Sequence, residues 1–469
     1  MNANNCFVRC EMKAAIVAKV LVAAAFFIGI SSTITRMRCR STIPGKSDMP
    51  TRVIRLTNER RIPRIFVYPI PQVLRLSLVL KHDNFSLTQD DLQHPDCSAN
   101  GYSIEQNFVD GLHHDRFAHV LAENPENADL FFIPVLPVCL YHTALRKGFD
   151  SLDASESVNS YLEAIIKFIR GRWDHLEKSL GHDHIIPLAH DSRCFGPFSK
   201  VLQFTRKMIM ISPMGQTSGF FQLKKKLPHH VFGPVQHAEN NESNGCVQFH
   251  RDIVVPAKLS PNVRKLFLQS TEIPLQKRKY VLSFCGTLSL PDDTRNWYSF
   301  GIRTMLSSEL KGWPDVWFEQ KATDEAIIHA MMNSKFCLYV YGWNPWSSRL
   351  AWIIQAGCIP VIVSDSVVMP FERSLDWSRF AIKISHADAA KPGFLLGYLR
   401  KYSSRRSEQK FFNFKEVKSK LIFHDAPESE DAMHLVLEEL KLIKQASYHS
   451  IAWDNDASTH SDELAIQYV

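Results

Sequence analysis
Between residues 280 and 365 apolar runs of strand length alternate without exception with segments of helical period. The order is YVLSFCG, GIRTMLSSEL, DVWFEQ, TDEAIIHAMMNS, KFCLYVY, WSSRLAWIIQAG, CIPVIVSD. Strands that each return through a helix lie parallel, and a strand without a polar face is covered on both sides. The pattern therefore predicts an α/β architecture: a parallel sheet with helices on both faces, binding its ligand at the carboxyl ends of the strands.

A similar but less regular series precedes it. RIFVYPIP at 64–71 reads as a strand stopped by Pro69 and Pro71. Apolar residues at helical spacing run through 102–124 (Ile104, Phe108, Leu112, Phe117, Val120, Leu121), then a turn at Pro125 leads past Asp129 into LFFIPV. A second helix is expected over 157–177, then the polar turn and short apolar run GHDHIIPLAHD, then the short strand FHRDIVVP at 249–256. Pro256, Pro261 and Pro274 mark a crossing between two domains, placed at 61–274 and 275–425, with a C-terminal helix and tail over 426–469. The chain's 469 residues accommodate two such cores. Its 45% apolar and 22% charged residues exclude disorder over most of its length. The net charge of +7 is scattered apart from KKK at 224–226 and Arg36, Arg38 and Arg40, which reads as solvated surface and not as a nucleic-acid stripe.

The N-terminus differs in kind. AAIVAKVLVAAAFFIGISSTI at 14–34 has the length of a membrane-spanning helix, with Lys19 near the end where its amine can snorkel. It reads as a signal anchor behind a cytoplasmic tail at 1–13 and ahead of a polar stem at 35–60; a cleaved signal peptide is the alternative, because ISST ends in small residues. Arg36, Arg38 and Arg40 beyond the span argue against the tail-inside orientation. The ten cysteines form no CxxC pair and no zinc-ligand spacing, so no metal site is expected. The sequons at Asn84 and Asn241 are compatible with a secretory lumen.

The segment GWNPWSSR opens the helix between two buried strands. Ser347 or Ser348 can cap that helix, whose free N–H groups favour an anion, and Arg349 adds a planar cation suited to phosphate. A capping serine beside a solvent-facing arginine explains the same residues.

These residues also carry a resemblance. SKFCL, Gly342, Ser347-x-Arg349, AGCIPVIVSD, Pro370-Phe371 and LDW at 375–377 resemble the signature of the exostosin family, glycosyltransferase family 47. YSIEQNF, NPENADLFFIPV, GHDHIIP, RDIVVP and RKYVLSFCGTL resemble its other blocks in the same order, over roughly 64–385. The resemblance implies a GT-B fold, two Rossmann-like domains facing a cleft behind an N-terminal transmembrane anchor, in a single-pass type II Golgi membrane protein. It implies inverting transfer of a sugar from a nucleotide donor, usually UDP-linked, to a polysaccharide or glycoprotein glycan, with no cofactor and no resident metal. Asp454-Asn-Asp456 has D-x-D spacing but lies in the tail and reads as surface. Inversion needs a general base on the acceptor side. Asp183 and then His184 of GHDH are the candidates, against a reading in which they only hydrogen-bond the turn; Asp129 is a lesser one. Arg278 and Gly286 are added on the donor side. Cys337 and Cys358 read as buried small hydrophobes or as a disulfide.

The chain departs from the family at Trp352, where members usually carry a glutamate that binds the donor ribose. Residues 349 and 352 share a helix face, so the indole is expected toward the site. Three explanations compete: the indole stacks on base or ribose with Gln355 supplying a polar contact, it fills the pocket of a protein that has lost catalysis, or the acid comes from elsewhere. An inactive scaffold subunit, forming a hetero- or homo-oligomer with another glycosyltransferase, is therefore the alternative function. A lectin-like reading rests on Trp297, Trp313, Trp317, Trp343 and Trp346.

Overall fold
A computed structural model describes residues 62–71, 81–82, 85–86, 103–189, 205, 207–217, 247–289, 298–342 and 346–457, save for 366, 403 and 425. The expected anchor at 14–34, the stem at 35–60 and the sequons at Asn84 and Asn241 lie outside these residues. Among the described residues no helix is long and apolar enough to cross a membrane.

Two five-stranded parallel sheets organise the chain. The first comprises β1 (Ile65–Val67), β2 (Leu130–Phe132), β3 (His184–Pro187), β4 (Ile209–Ser212) and β5 (Ile253–Val254), ordered in space as in sequence. Its helices are α1 (Ile104–Leu112), α2 (Pro137–Arg146) and α3 (Ser151–Arg172). The helix expected over 102–124 breaks after Leu112: His114 turns extended, and its ring accepts a hydrogen bond from Arg116 N (3.2 Å) to cap a separate 3₁₀ turn over Asp115–Val120. Strand β4 and helix α2 have no counterpart in the sequence reading.

Helix α4 (Pro261–Gln269) spans the proline-marked crossing, with Ser260 as its cap and Pro261 in its first turn, where a missing N–H costs nothing. The second sheet comprises β6 (Tyr280–Cys285), β7 (Val316–Glu319), β8 (Ser334–Val340), β9 (Ile359–Val363) and β10 (Ile382–Ile384), in the order β10-β9-β8-β6-β7. Its helices are α5 (Ile302–Leu310), α6 (Asp324–Met332), α7 (Arg349–Ala356), α8 (Phe394–Lys401) and α9 (Ser404–Val417). The expected alternation is observed element for element from β6 to β9. Phe336, Leu338 and Val340 pack with α5 and α8 on one face, while Cys337 and Tyr339 join the core on the face of α6 and α7. Of the two readings left open for Cys337 and Cys358, the structure contains the disulfide.

Residues Arg60–Val469 form one compact unit, and one hydrophobic cluster runs from the first sheet into the second. Three features join the lobes. Val368 N donates to Gly215 O (2.7 Å) and Phe371 N to Val254 O (2.9 Å). Arg373 pairs with Glu439 and donates to Asp252 O (3.1 Å). The last helix, α10 (Ala432–Ala457), leaves the second lobe and buries Met433, Val436, Leu437 and Leu440 in the core shared with the first.

Within the first lobe the buried carboxylate of Glu105 fastens two loops at the carboxyl edge of the sheet. It accepts from Val138 N (2.9 Å) and Cys139 N (3.3 Å) at the start of α2, and from Ala189 N (3.1 Å) after β3. Burial pushes its pKa up to about 8 against the downward pull of those three N–H groups. The folded state therefore holds this proton more tightly than the unfolded chain, and stability declines as pH rises through the interval between the two values. Melting temperatures of wild type and Glu105→Gln, compared from pH 5 to 9, should show the wild type losing ground as pH rises; a constant difference would contradict this. A Cβ at Gly215 would lie 1.8 Å from Val368 O. Gly215→Ala should cost about 1–3 kcal/mol, read as a lower melting temperature; an unchanged value would mean that the two backbones part without strain.

Candidate functional site
In the second sheet the chain runs outward from β6 to β7 and then returns to place β8 on the other side of β6. The loops leaving the carboxyl ends of β6 and β8 thus diverge, and the crevice between them is where such sheets bind ligands. A cavity of ≈ 700 Å³ occupies this position, a size suited to a small-molecule or cofactor ligand. Cys285, Gly286 and Thr287 line it from the end of β6, Tyr339 and Gly342 from the end of β8, and Ser347, Ser348 and Arg349 from the start of α7.

Buried hydroxyls and backbone groups shape the start of α7. Ser347 N donates to the hydroxyl of Tyr339 (3.1 Å), and Ser347 Oγ accepts from Arg349 N (3.2 Å). Gly357 closes the helix in the left-handed region at φ 61°, as the sequence pattern anticipates. Leu350 N and Ala351 N already donate within the protein, to Ser347 O (3.1 Å) and Ser348 O (3.0 Å), while the cavity is lined here by Ser347, Ser348 and Arg349. Its guanidinium makes no hydrogen bond or ion pair with any described residue, and Nη1 is fully enclosed. Burial lowers its pKa, with the nearby Cys285 and Asp324 pulling the other way.

A second arginine, Arg303 of α5, stands on the same wall with both Nη1 and Nη2 hydrogen-bonded. Nη1 donates to Thr287 O (2.8 Å) and the Tyr298 hydroxyl (3.2 Å), and Nη2 to Val340 O (2.5 Å). It ties the loop after β6 to the end of β8, and burial likewise lowers its pKa. Lys321 adds a third cation, and Asp324, at the start of α6, is the one acidic side chain among the described wall residues. The cavity is thus a cationic recess with a single carboxylate at its side.

Several expectations require correction. Asp183 and His184 stand at the start of β3, the amino edge of the first sheet, and the cavity lies at the carboxyl edge of the second. His184 is fully buried: Nδ1 meets Asp183 Oδ1 at 2.7 Å and Nε2 meets the Tyr68 hydroxyl at 2.8 Å, with its ring stacked on Phe131. Burial raises the Asp183 carboxyl, but hydrogen bonds from His184 and Ser179 outweigh it and hold the group below the usual carboxylate range. This pair braces the sheet's entry edge. Arg278, likewise, precedes β6. It donates to Ile273 O (3.0 Å), Ser334 O (2.9 Å) and Gly357 O (2.9 Å) and stacks on Phe411, all at the sheet's amino edge, and burial pulls it down to about 10.

Gly286, Ser347, Ser348 and Arg349 are brought together on the wall. Trp352 and Gln355 are not part of it. Gln355 lies in the last turn of α7, roughly 9 Å along the axis from Arg349. The Trp352 ring is turned to Phe267 of α4 and neither fills the recess nor faces it. The sequence reading missed Arg303, Lys321, Asp324, Tyr298 and Tyr339. A usable signal existed for Asp324, which follows a strand and a capping threonine (Thr323), the position from which α/β loops present side chains.

The family model described as "Exostosin GT47 domain" matches residues 59–399. A protein of Oryza sativa subsp. japonica named "Probable glucuronosyltransferase" is 26% identical over 344 residues, covering 71% of this chain and 72% of that one. "Probable arabinosyltransferase ARAD1" of Arabidopsis thaliana is 24% identical over 418 residues, covering 84% and 82%. Among solved structures, Anabaena HepE in complex with UDP-glucose aligns with 82% of this chain and 99% of its own at 9% identity, with a TM-score of 0.35.

An enclosed guanidinium without an acceptor is costly when no anion is present. Arg349→Met should therefore raise the melting temperature of the ligand-free protein, by about 1 kcal/mol in stability, while abolishing stabilisation by added UDP. A variant less stable than wild type without ligand would show that the charge is compensated internally.

Proposed function
Because the chain belongs to the exostosin family, glycosyltransferase family 47, we propose that it transfers a sugar, with inversion, from a UDP-linked donor to a polysaccharide or glycoprotein glycan. The observation that carries this reading is the partnerless Arg349 beside the start of α7. A helix N-terminus and a guanidinium together match a diphosphate, whose negative charge increases as the sugar departs. Protein cations take that charge without a resident metal. The cavity's size supports occupancy by a nucleotide sugar.

Asp324 shares the cavity wall with Arg349, and we take it to stand on the leaving-group side. A carboxylate there accepts hydrogen bonds from donor hydroxyls; a general base belongs on the acceptor side, across the anomeric carbon. We therefore assign Asp324 to the donor's ribose or sugar hydroxyls. The relatives named for glucuronosyl and arabinosyl transfer support a glycosyl group as what is transferred. The apolar stretch at 14–34 supports a membrane anchor, and the resemblance to the family is the ground for proposing a single-pass type II protein of the Golgi membrane.

A screen of UDP-sugars by UDP release tests the reading. One donor should turn over, and Arg349→Ala should lower kcat/KM at least tenfold, and up to about a thousandfold if two charge-assisted bonds are lost. Asp324→Asn should raise the donor KM several-fold with a smaller change in kcat. Equal activity of wild type and Arg349→Ala would refute the assignment of the diphosphate site.

A further inference from the structure
Trp352 stands three residues after Arg349, so the two side chains leave α7 on one face. The guanidinium carbon of Arg349 lies 4.6 Å from the centre of the Trp352 ring, within the range of a cation–π contact. The ring is itself held: it meets Phe267 of α4 edge to face at 6.0 Å, and Phe267 is buried in the shared core. A chain of contacts therefore runs from the crossing helix through the indole to the guanidinium. Among the described residues no hydrogen bond competes with the ring for that guanidinium, and its Nη1 is buried without a partner.

The chemistry of the support matters. A long arginine side chain without an anchor samples many rotamers, and binding an anion must then order it. A carboxylate would order it too, but would neutralise the charge and compete with phosphate for the same donors. An indole orders the guanidinium through its face and leaves every N–H free. We propose that Trp352 is a positioning residue that holds Arg349 in the cavity without taking up its hydrogen-bond donors, and so sets the affinity of the site for the diphosphate of the donor. This rests on the diphosphate reading above. The competing account treats Trp352 as filler between α4 and α7, and predicts effects on stability alone.

The test is titration calorimetry of the purified full chain with inorganic pyrophosphate and with UDP, with melting temperatures recorded for each variant. Trp352→Phe should bind both probes within about threefold of wild type, since a ring face remains. Trp352→Leu should bind them roughly 2- to 30-fold more weakly, the span of a cation–π contact, and Trp352→Glu more weakly still. In an Arg349→Ala background Trp352→Leu should cause no further loss. Wild-type affinity in Trp352→Leu, a gain in Trp352→Glu, or an undiminished effect of Trp352→Leu without Arg349 would each overturn the proposal. If Trp352→Leu does not fold, the opposite behaviour of Trp352→Phe and Trp352→Glu carries the comparison. Wild type that binds neither probe would overturn the diphosphate reading itself, whereas wild type that binds while Trp352→Leu is unaffected overturns only the role of the indole.

Discussion

An arginine held at the carboxyl edge of a parallel sheet, with no acceptor for its donors, is the constraint around which the second lobe is arranged. Desolvating a guanidinium is unfavourable unless something balances its charge, and here Asp324 and Cys285 act on it only through space while other groups add to the positive potential. Arg303 stands on the same wall, and the start of α7 contributes the positive end of its dipole. The two arginines differ in how their donors are used. Arg303 spends its donors on Thr287 O, Val340 O and the Tyr298 hydroxyl, which fixes the loops that shape the cavity. Arg349 makes no hydrogen bond to a described residue. The recess is electrostatically incomplete, and an oxygen-rich dianion is the complement that its geometry and charge describe.

The lobes are held against one another by contacts that permit close backbone approach. Gly215 admits Val368 to hydrogen-bond range, and the Arg373–Glu439 pair sits where the last helix returns to the first lobe. The lobes are therefore joined by a short backbone clasp and braced at a distance by α10. Glu105 does the equivalent work within the first lobe, fastening the loops that leave β2 and β3.

Strand polarity separates the expected site residues that line the cavity from those that do not. Gly286, Ser347, Ser348 and Arg349 follow strands; Asp183, His184 and Arg278 precede or open them. In a parallel sheet the first group lies at the edge where ligands bind and the second at the opposite edge, some 10–20 Å away for strands of ordinary length. The alternation that revealed the sheets also carried the information needed to set Asp183 and Arg278 aside. What drew attention to them, a cluster of titratable groups at a turn, is equally the signature of a buried brace. His184, closed between Asp183 and Tyr68, is such a brace.

From the sequence alone came the parallel sheets, the order of elements from β6 to β9, the loop that bears Ser347 and Arg349, and the cap at Gly357. Each follows from periodicity or backbone preference within a few residues, which local sequence encodes. Helical spacing also placed Trp352 on the face of Arg349. It could not say what that face would meet. Only the tertiary structure decided that Phe267 captures the indole, that the guanidinium finds no acceptor, and that Gly215 and Val368 lie in contact. Those outcomes depend on residues distant in the chain, and the partners of a charge or a ring are chosen by the packing of the whole, not by their neighbours in sequence.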